Sequence, residues 1–171
     1  FQWRIRKDRW DEAHDLLVKH TGGLSKMERP EKWASRRRGF ARRAMRAGNP
    51  EIAYFLASEH GLNSGSHYAD LEWLSGYISM TYLSAPLQAE RHFKNFSLAV
   101  SSSISRARAG YWLGRVNEKL GNLDQAAADY LISAKFQTAF YGQLAAERLG
   151  LSGDPLLRGL EEVDDWPTAG F

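Results

Sequence analysis

Five histidines and three helix-borne glutamates are the side chains in this sequence best equipped for acid–base or metal chemistry. His14, His20, His60, His67 and His92 show no HxxxH or HExxH spacing, and cysteine is absent, so no thiolate can complete a zinc site. They read as helix-surface or cap residues, and neither a metal nor any other cofactor is expected. Glu72, Glu118 and Glu147 stand beside aromatic or apolar residues, where burial would raise a carboxyl pKa towards that of a general acid. The plainer expectation is a surface position or an arginine partner, as Arg115 is for Glu118. Gly22-Gly23 precedes no phosphate-loop Lys-Ser/Thr and no G-x-S-x-G is present, so nucleotide binding and serine catalysis have no support.

Arg36, Arg37, Arg38, Arg42, Arg43 and Arg46 crowd one stretch. On a regular helix Arg36 and Arg43 share one face, while Arg38, Arg42 and Arg46 share another. That spread predicts a solvated helix, or arginines reaching acidic neighbours, ahead of anion contact through Arg36 and Arg43. Nucleic acid is not an expected partner, because the aromatics do not interleave with the basic residues as a stacking platform requires. Trp73, Tyr77, Tyr111 and Trp112 are expected to pack in the core, with sugar stacking on a concave face the lesser alternative.

These side chains must be positioned by helices. The net charge of +3 conceals 14 Lys/Arg against 6 Asp/Glu in residues 1–50 and the reverse bias thereafter. No apolar run reaches 18 residues, so no membrane span is expected in this segment. "RWDEAHDLL", "NPEIAYFLA", "PLQAERHF" and "NLDQAAADY" align on Ala13, Ala53, Ala89 and Ala126, at spacings of 40, 36 and 37 residues. Four residues on, Leu17, Ala57, Phe93 and Tyr130 take the next place on the same helical face. Asn49-Pro50 predicts a capped helix start, Gly48 and Gly121 left-handed helix ends, and Ser84 and Asn122 caps of the helices that follow.

The pattern predicts helices near 8–20, 30–47, 50–60, 67–83, 85–101, 105–120, 123–136 and 139–149. Paired antiparallel and stacked, they make an all-α solenoid of the tetratricopeptide kind over residues 1–150, because single hairpins cannot bury their apolar faces alone. Residues 151–171 read as an irregular tail, and the chain as a piece of a longer array. In "TAFYGQLAAERLG", Phe140, Tyr141 and Leu144 contribute to an apolar stripe, while Gly142 and Ala146 form a small-residue seam open to a close neighbour.

That stretch, together with "ARAGYWLGRVNEKLGNLDQAAADY", "LEWLSGYISMTYLSAPLQAERHF", "AGNPEIAYFLASEHGL" and "RKDRWDEAHDLL", resembles the α-superhelical region of soluble lytic murein transglycosylases. The resemblance implies a periplasmic location and a parent enzyme that cleaves glycan strands between N-acetylmuramic acid and N-acetylglucosamine, leaving 1,6-anhydro ends. One Glu serves such enzymes as acid and then base, within a separate lysozyme-like domain. No Glu-Ser followed by a Gly-Leu-Met-Gln-like run occurs here, so no catalytic residue carries over and the chain is expected to be inactive alone. Its expected partners are that catalytic domain and peptidoglycan glycan strands. Docking of the next part of the parent chain is expected at Phe140, Tyr141, Gly142, Gln143 and Ala146, with the seam exposed or covered by Leu156, Leu157 and Trp166, and with Gln143 lacking a partner. Two other readings are a free-standing adaptor that holds a peptide or protein on its concave face, and a helical enzyme acting through one of the glutamates.

Overall fold

Prolines at the first helical position and left-handed glycines after the last divide this chain into helices, as local backbone preference requires. The computed structural model describes residues 2–21, 29–154 and 157. Among them run α1 (Gln2–Arg6), α2 (Trp10–Thr21), α3 (Pro30–Arg46), α4 (Pro50–Ser58), α5 (Ser66–Thr81), α6 (Pro86–Ala99), α7 (Ser103–Leu120), α8 (Leu123–Ala134) and α9 (Phe140–Arg148). The described residues contain no strand, so the protein is all-α there. Helix α1 was not anticipated; its five residues are too few to show a period. The expected tail lies largely outside the described residues, as do Leu156, Trp166 and Gly22-Gly23.

Gly48 and Gly121 take φ of +79° and +80°, ending α3 and α7 in the left-handed region. The caps differ from expectation. Ser84 does not cap α6: it adopts φ +51° in the turn, and Ala85 is the residue before the helix. That turn is closed from the backbone, by Leu83 N–H on the Ile78 carbonyl and Ala85 N–H on that of Ser79. Asn49 and Asn122 precede α4 and α8 without bonding them through their side chains. The side-chain cap belongs instead to Ser102, whose Oγ accepts from Ser105 N–H at 3.3 Å.

Consecutive helices pack as pairs, most closely α5 with α6 and α7 with α8. Ala13, Ala53, Ala89 and Ala126 are all buried, and so are Leu17, Ala57, Phe93 and Tyr130 four residues later. The contact they make recurs. A Cβ at Gly76 of α5 would lie 2.7 Å from the Phe93 ring, and one at Gly114 of α7 would lie 2.6 Å from the Tyr130 ring. Each glycine lets an aromatic ring settle directly on the backbone of the partner helix. In α4 the position of these rings is taken by Ala57, small and buried, so no ring has to be accommodated there.

Candidate functional site

Three groupings of side chains stand out, on different parts of the helical stack: an aromatic row, a buried carboxylate hub and a basic helix.

The aromatic row joins α5, α7 and α9. Trp73 stacks on Tyr77 with centroids 5.3 Å apart and planes 19° from parallel, as the one-turn spacing on α5 allows. Tyr77 meets Trp112 of α7 edge-on at 5.3 Å, and Trp112 stacks on Phe93 of α6 at 5.5 Å. Tyr111, the next residue of α7, lies 5.4 Å from Tyr141, which in turn lies 5.3 Å from Phe140. Arg108 holds its guanidinium 5.1 Å from the Trp73 ring and 5.7 Å from that of Tyr141, linking α5 and α9 by cation–π attraction.

Tyr111 is buried, Trp73, Tyr77, Trp112 and Tyr141 are half-buried, and the row ends in two exposed rings, Tyr82 and Phe140. Four residues named from sequence as core aromatics, Trp73, Tyr77, Tyr111 and Trp112, therefore do belong together, but three of them also form surface. Such a surface can stack against the apolar face of a sugar or against an extended peptide.

The small-residue seam of α9 has its partner within the chain. Gly142 is buried, and a Cβ there would collide with the carbonyl of Phe136 in the α8–α9 connection. Ala146 is buried with Tyr111, Ala126 and Tyr130. Contrary to expectation, Gln143 has a partner: its amide donates to the Gln137 carbonyl at 2.9 Å. Gly142 and Ala146, expected to be exposed or covered by the tail, are thus buried against the chain's own connection and helices, while Gln143 is exposed, Phe140 is 67% exposed and Leu157 is exposed as well.

The carboxylate hub escaped the sequence reading. His60 and His92, expected at the surface or in caps, are buried beside Glu72. Leu62 N–H donates to His60 Nδ1 at 2.9 Å, which places the ring proton on Nε2; that nitrogen donates to Glu72 Oε1 at 3.0 Å. His92 Nδ1 donates to Glu72 Oε2 at 2.7 Å, and its Nε2 pairs with the Tyr54 hydroxyl at 2.8 Å. Asn95 adds a third donor at 3.2 Å. Burial alone would push this carboxyl up, but the combined donors and the His92 charge outweigh it and hold the pKa down at about 2. The expectation of a raised value is therefore reversed, because it counted the apolar neighbours and not the donors.

Asp129 is a second buried carboxylate. It accepts from Asn117 at 2.8 Å and Gln125 at 3.1 Å, and burial pushes its pKa up. Glu118 bonds Arg148 at 2.9 Å and lies 3.6 Å from Arg115, while Glu147 is exposed. Among the described residues no set of three His, Cys, Asp or Glu is arranged to hold a metal ion, and no helix is long and apolar enough to cross a membrane.

The basic helix α3 divides its arginines. Arg37, expected in solvent or against an acidic neighbour, is fully buried: its Nε donates to the Leu56 carbonyl at 2.9 Å and its Nη2 to that of Phe55 at 3.0 Å. It thereby satisfies carbonyls at the C-terminal end of α4, and burial lowers its pKa to about 10. Arg38 pairs with Asp70 of α5. Arg36 donates to the Lys32 carbonyl at 2.7 Å, and Arg43 lies over the Trp10 ring at 4.3 Å.

No protein-family model, curated protein or solved structure matches this chain.

Proposed function

We propose that this chain is a non-catalytic, tetratricopeptide-like superhelical scaffold of a periplasmic peptidoglycan lytic transglycosylase, resting alongside a lysozyme-like domain that performs the cleavage. The observation that carries this reading is the aromatic row of Trp73, Tyr77, Trp112 and Tyr141, half-buried and running out to the exposed Phe140, a surface against which the apolar face of a sugar can pack. The resemblance of the stretches around those residues to the lytic transglycosylase superhelix supports it. So does the state of the buried carboxylates. Glu72 and Asp129 are both engaged by protein donors, and a carboxyl held near pKa 2 is a poor general acid.

The test has two arms. Incubated with purified peptidoglycan, the protein should release no anhydromuropeptides; release that vanishes on a single Glu→Gln change would make the chain an enzyme in its own right. It should co-sediment with peptidoglycan sacculi, and the double change Tyr77→Ala and Tyr141→Ala should abolish this while leaving the helical circular dichroism intact. Failure of the unaltered protein to sediment would favour the adaptor reading, in which the same face holds a peptide.

A further inference from the structure

Arg108 stands inside the aromatic row, one turn before Trp112 on α7, with its guanidinium 5.1 Å from the Trp73 ring and 5.7 Å from that of Tyr141. It is half-buried, and its Nε is sealed from solvent without an acceptor. The two terminal nitrogens are not among the sealed donors, so the free end of the fork reaches the surface of the row. Arg4, Arg38 and Arg115, half-buried like it, each meet a carboxylate, those of Glu12, Asp70 and Glu118. Arg108 meets none among the described residues. Asp70, three residues before Trp73 on α5, is engaged by Arg38, and Glu147, six residues beyond Tyr141, is exposed.

A partly desolvated cation without a counterion is costly, and contact with aromatic rings offsets only part of that cost. The indole N–H groups of Trp73 and Trp112 are likewise sealed without acceptors. These unmet groups of the row are all donors, which suits a ligand that brings acceptors and negative charge.

From this we infer that the aromatic row selects glycan residues carrying a free carboxylate, with the acid paired to the terminal nitrogens of Arg108 and the apolar face of the sugar packed against the rings beside it. The inference rests on the glycan-binding reading above and supplies the charge preference which that reading leaves open. A neutral strand would cover Arg108 and desolvate it further with nothing in return, whereas a carboxylate turns the same burial into a charge-assisted contact that the planar fork can make at two points. N-acetylmuramic acid differs from N-acetylglucosamine by a lactyl ether that ends in such a carboxylate. A peptide joined there converts the acid to an amide, so the row distinguishes bare strands from peptide-bearing ones. An acidic peptide fits less well, because a sugar acid brings its carboxylate and its apolar face together in one residue, while a peptide acid hangs on a flexible stem that must be ordered on binding.

The experiment is a titration of the full chain at low salt, followed by tryptophan fluorescence, since Trp73 and Trp112 report from within the row. The probes are an alternating oligomer of N-acetylglucosamine and N-acetylmuramic acid with free lactyl carboxylates, its methyl ester, an N-acetylglucosamine oligomer of equal length, and a glutamate peptide of equal charge. The free acid should bind about tenfold or more tighter than the ester and the neutral oligomer, and added salt should weaken the acid alone. Arg108→Met keeps an apolar stem against the rings. It should erase the preference with the melting temperature kept or raised, because it removes an unpaired charge from a half-buried position. Arg91→Gln, a charge change at an exposed position of α6, should leave the preference within about twofold. Equal binding of acid and ester by the unaltered protein, with co-sedimentation on sacculi retained, would overturn this inference and leave the scaffold reading standing. A preference that survives Arg108→Met, or a peptide bound as tightly as the acid strand, would overturn it equally. Binding to none of the glycans, with no co-sedimentation on sacculi, would overturn both.

Discussion

Glu72 and Asp129 are both buried carboxylates, one serving the α5–α6 pair and the other the α7–α8 pair, yet their surroundings drive their acidities in opposite directions. Glu72 receives donors on both oxygens from His60 in the α4–α5 connection and from His92 and Asn95 on α6. Asp129 receives two neutral amides, one of them from Gln125 on its own helix. Burial is similar in the two. What differs is the number of donors and whether a charge stands among them, so a buried acid is stabilised by what converges on it rather than penalised by depth alone. Glu72 therefore acts as a clasp between helix pairs, and Asp129 as a local polar insertion.

The sharpest way to break this contrast is to remove each carboxylate. Glu72→Ala should cost about 3–5 kcal/mol, because two histidines and an asparagine lose their acceptor inside the core. Asp129→Ala should cost about 1–3 kcal/mol, the range for leaving neutral buried donors unpaired. Urea unfolding midpoints decide it, and equal losses would erase the distinction.

Acid titration of stability separates the two next. With its folded pKa at about 2 against an ordinary 4.5, Glu72 contributes stability that is fully present above pH 4.5 and lost as pH falls towards 2. The contribution is of order 3 kcal/mol. Asp129 has the opposite sign: its raised pKa makes its stabilisation full below the ordinary 3.8 and lost as pH rises through the folded value. Glu72→Gln should therefore flatten the acid limb of the stability curve, whereas Asp129→Asn should leave that limb at least as steep. Thermal melts from pH 2 to 6 measure both.

The smallest effect is expected one shell further out. Tyr54→Phe removes only the hydroxyl that pairs with His92, and should cost about 0.5–1.5 kcal/mol while the acid limb persists. A loss as large as that of Glu72→Ala would mean that the tyrosine, rather than the carboxylate, organises the hub.

Much of the helical layout was legible from local chemistry. Proline and glycine mark the ends of α3, α4 and α7 through their own backbone preferences, and the recurring alanines report buried faces because the helical period repeats on the chain itself. The aromatic row was partly legible: Trp73 and Tyr77 are one turn apart, but their meeting with Trp112 and Tyr141 depends on how α5, α7 and α9 are set side by side. Ser84 looked like a cap because its type suits one, while the turn it occupies is closed by backbone bonds instead.

The sequence by itself determined the helices after α1, their breaks and which face of each is small enough to be covered, since those properties depend on residues within a few positions of one another. Only the tertiary structure decided what the polar residues do. His60 and His92 stand 12 and 20 residues from Glu72, Arg37 finds its carbonyls about as far away on α4, and Gly142 owes its smallness to the carbonyl of Phe136. A hydrogen bond is satisfied by whatever donor or acceptor the packed chain brings within about 3 Å, and that proximity is a property of the assembled helices rather than of any local run of residues.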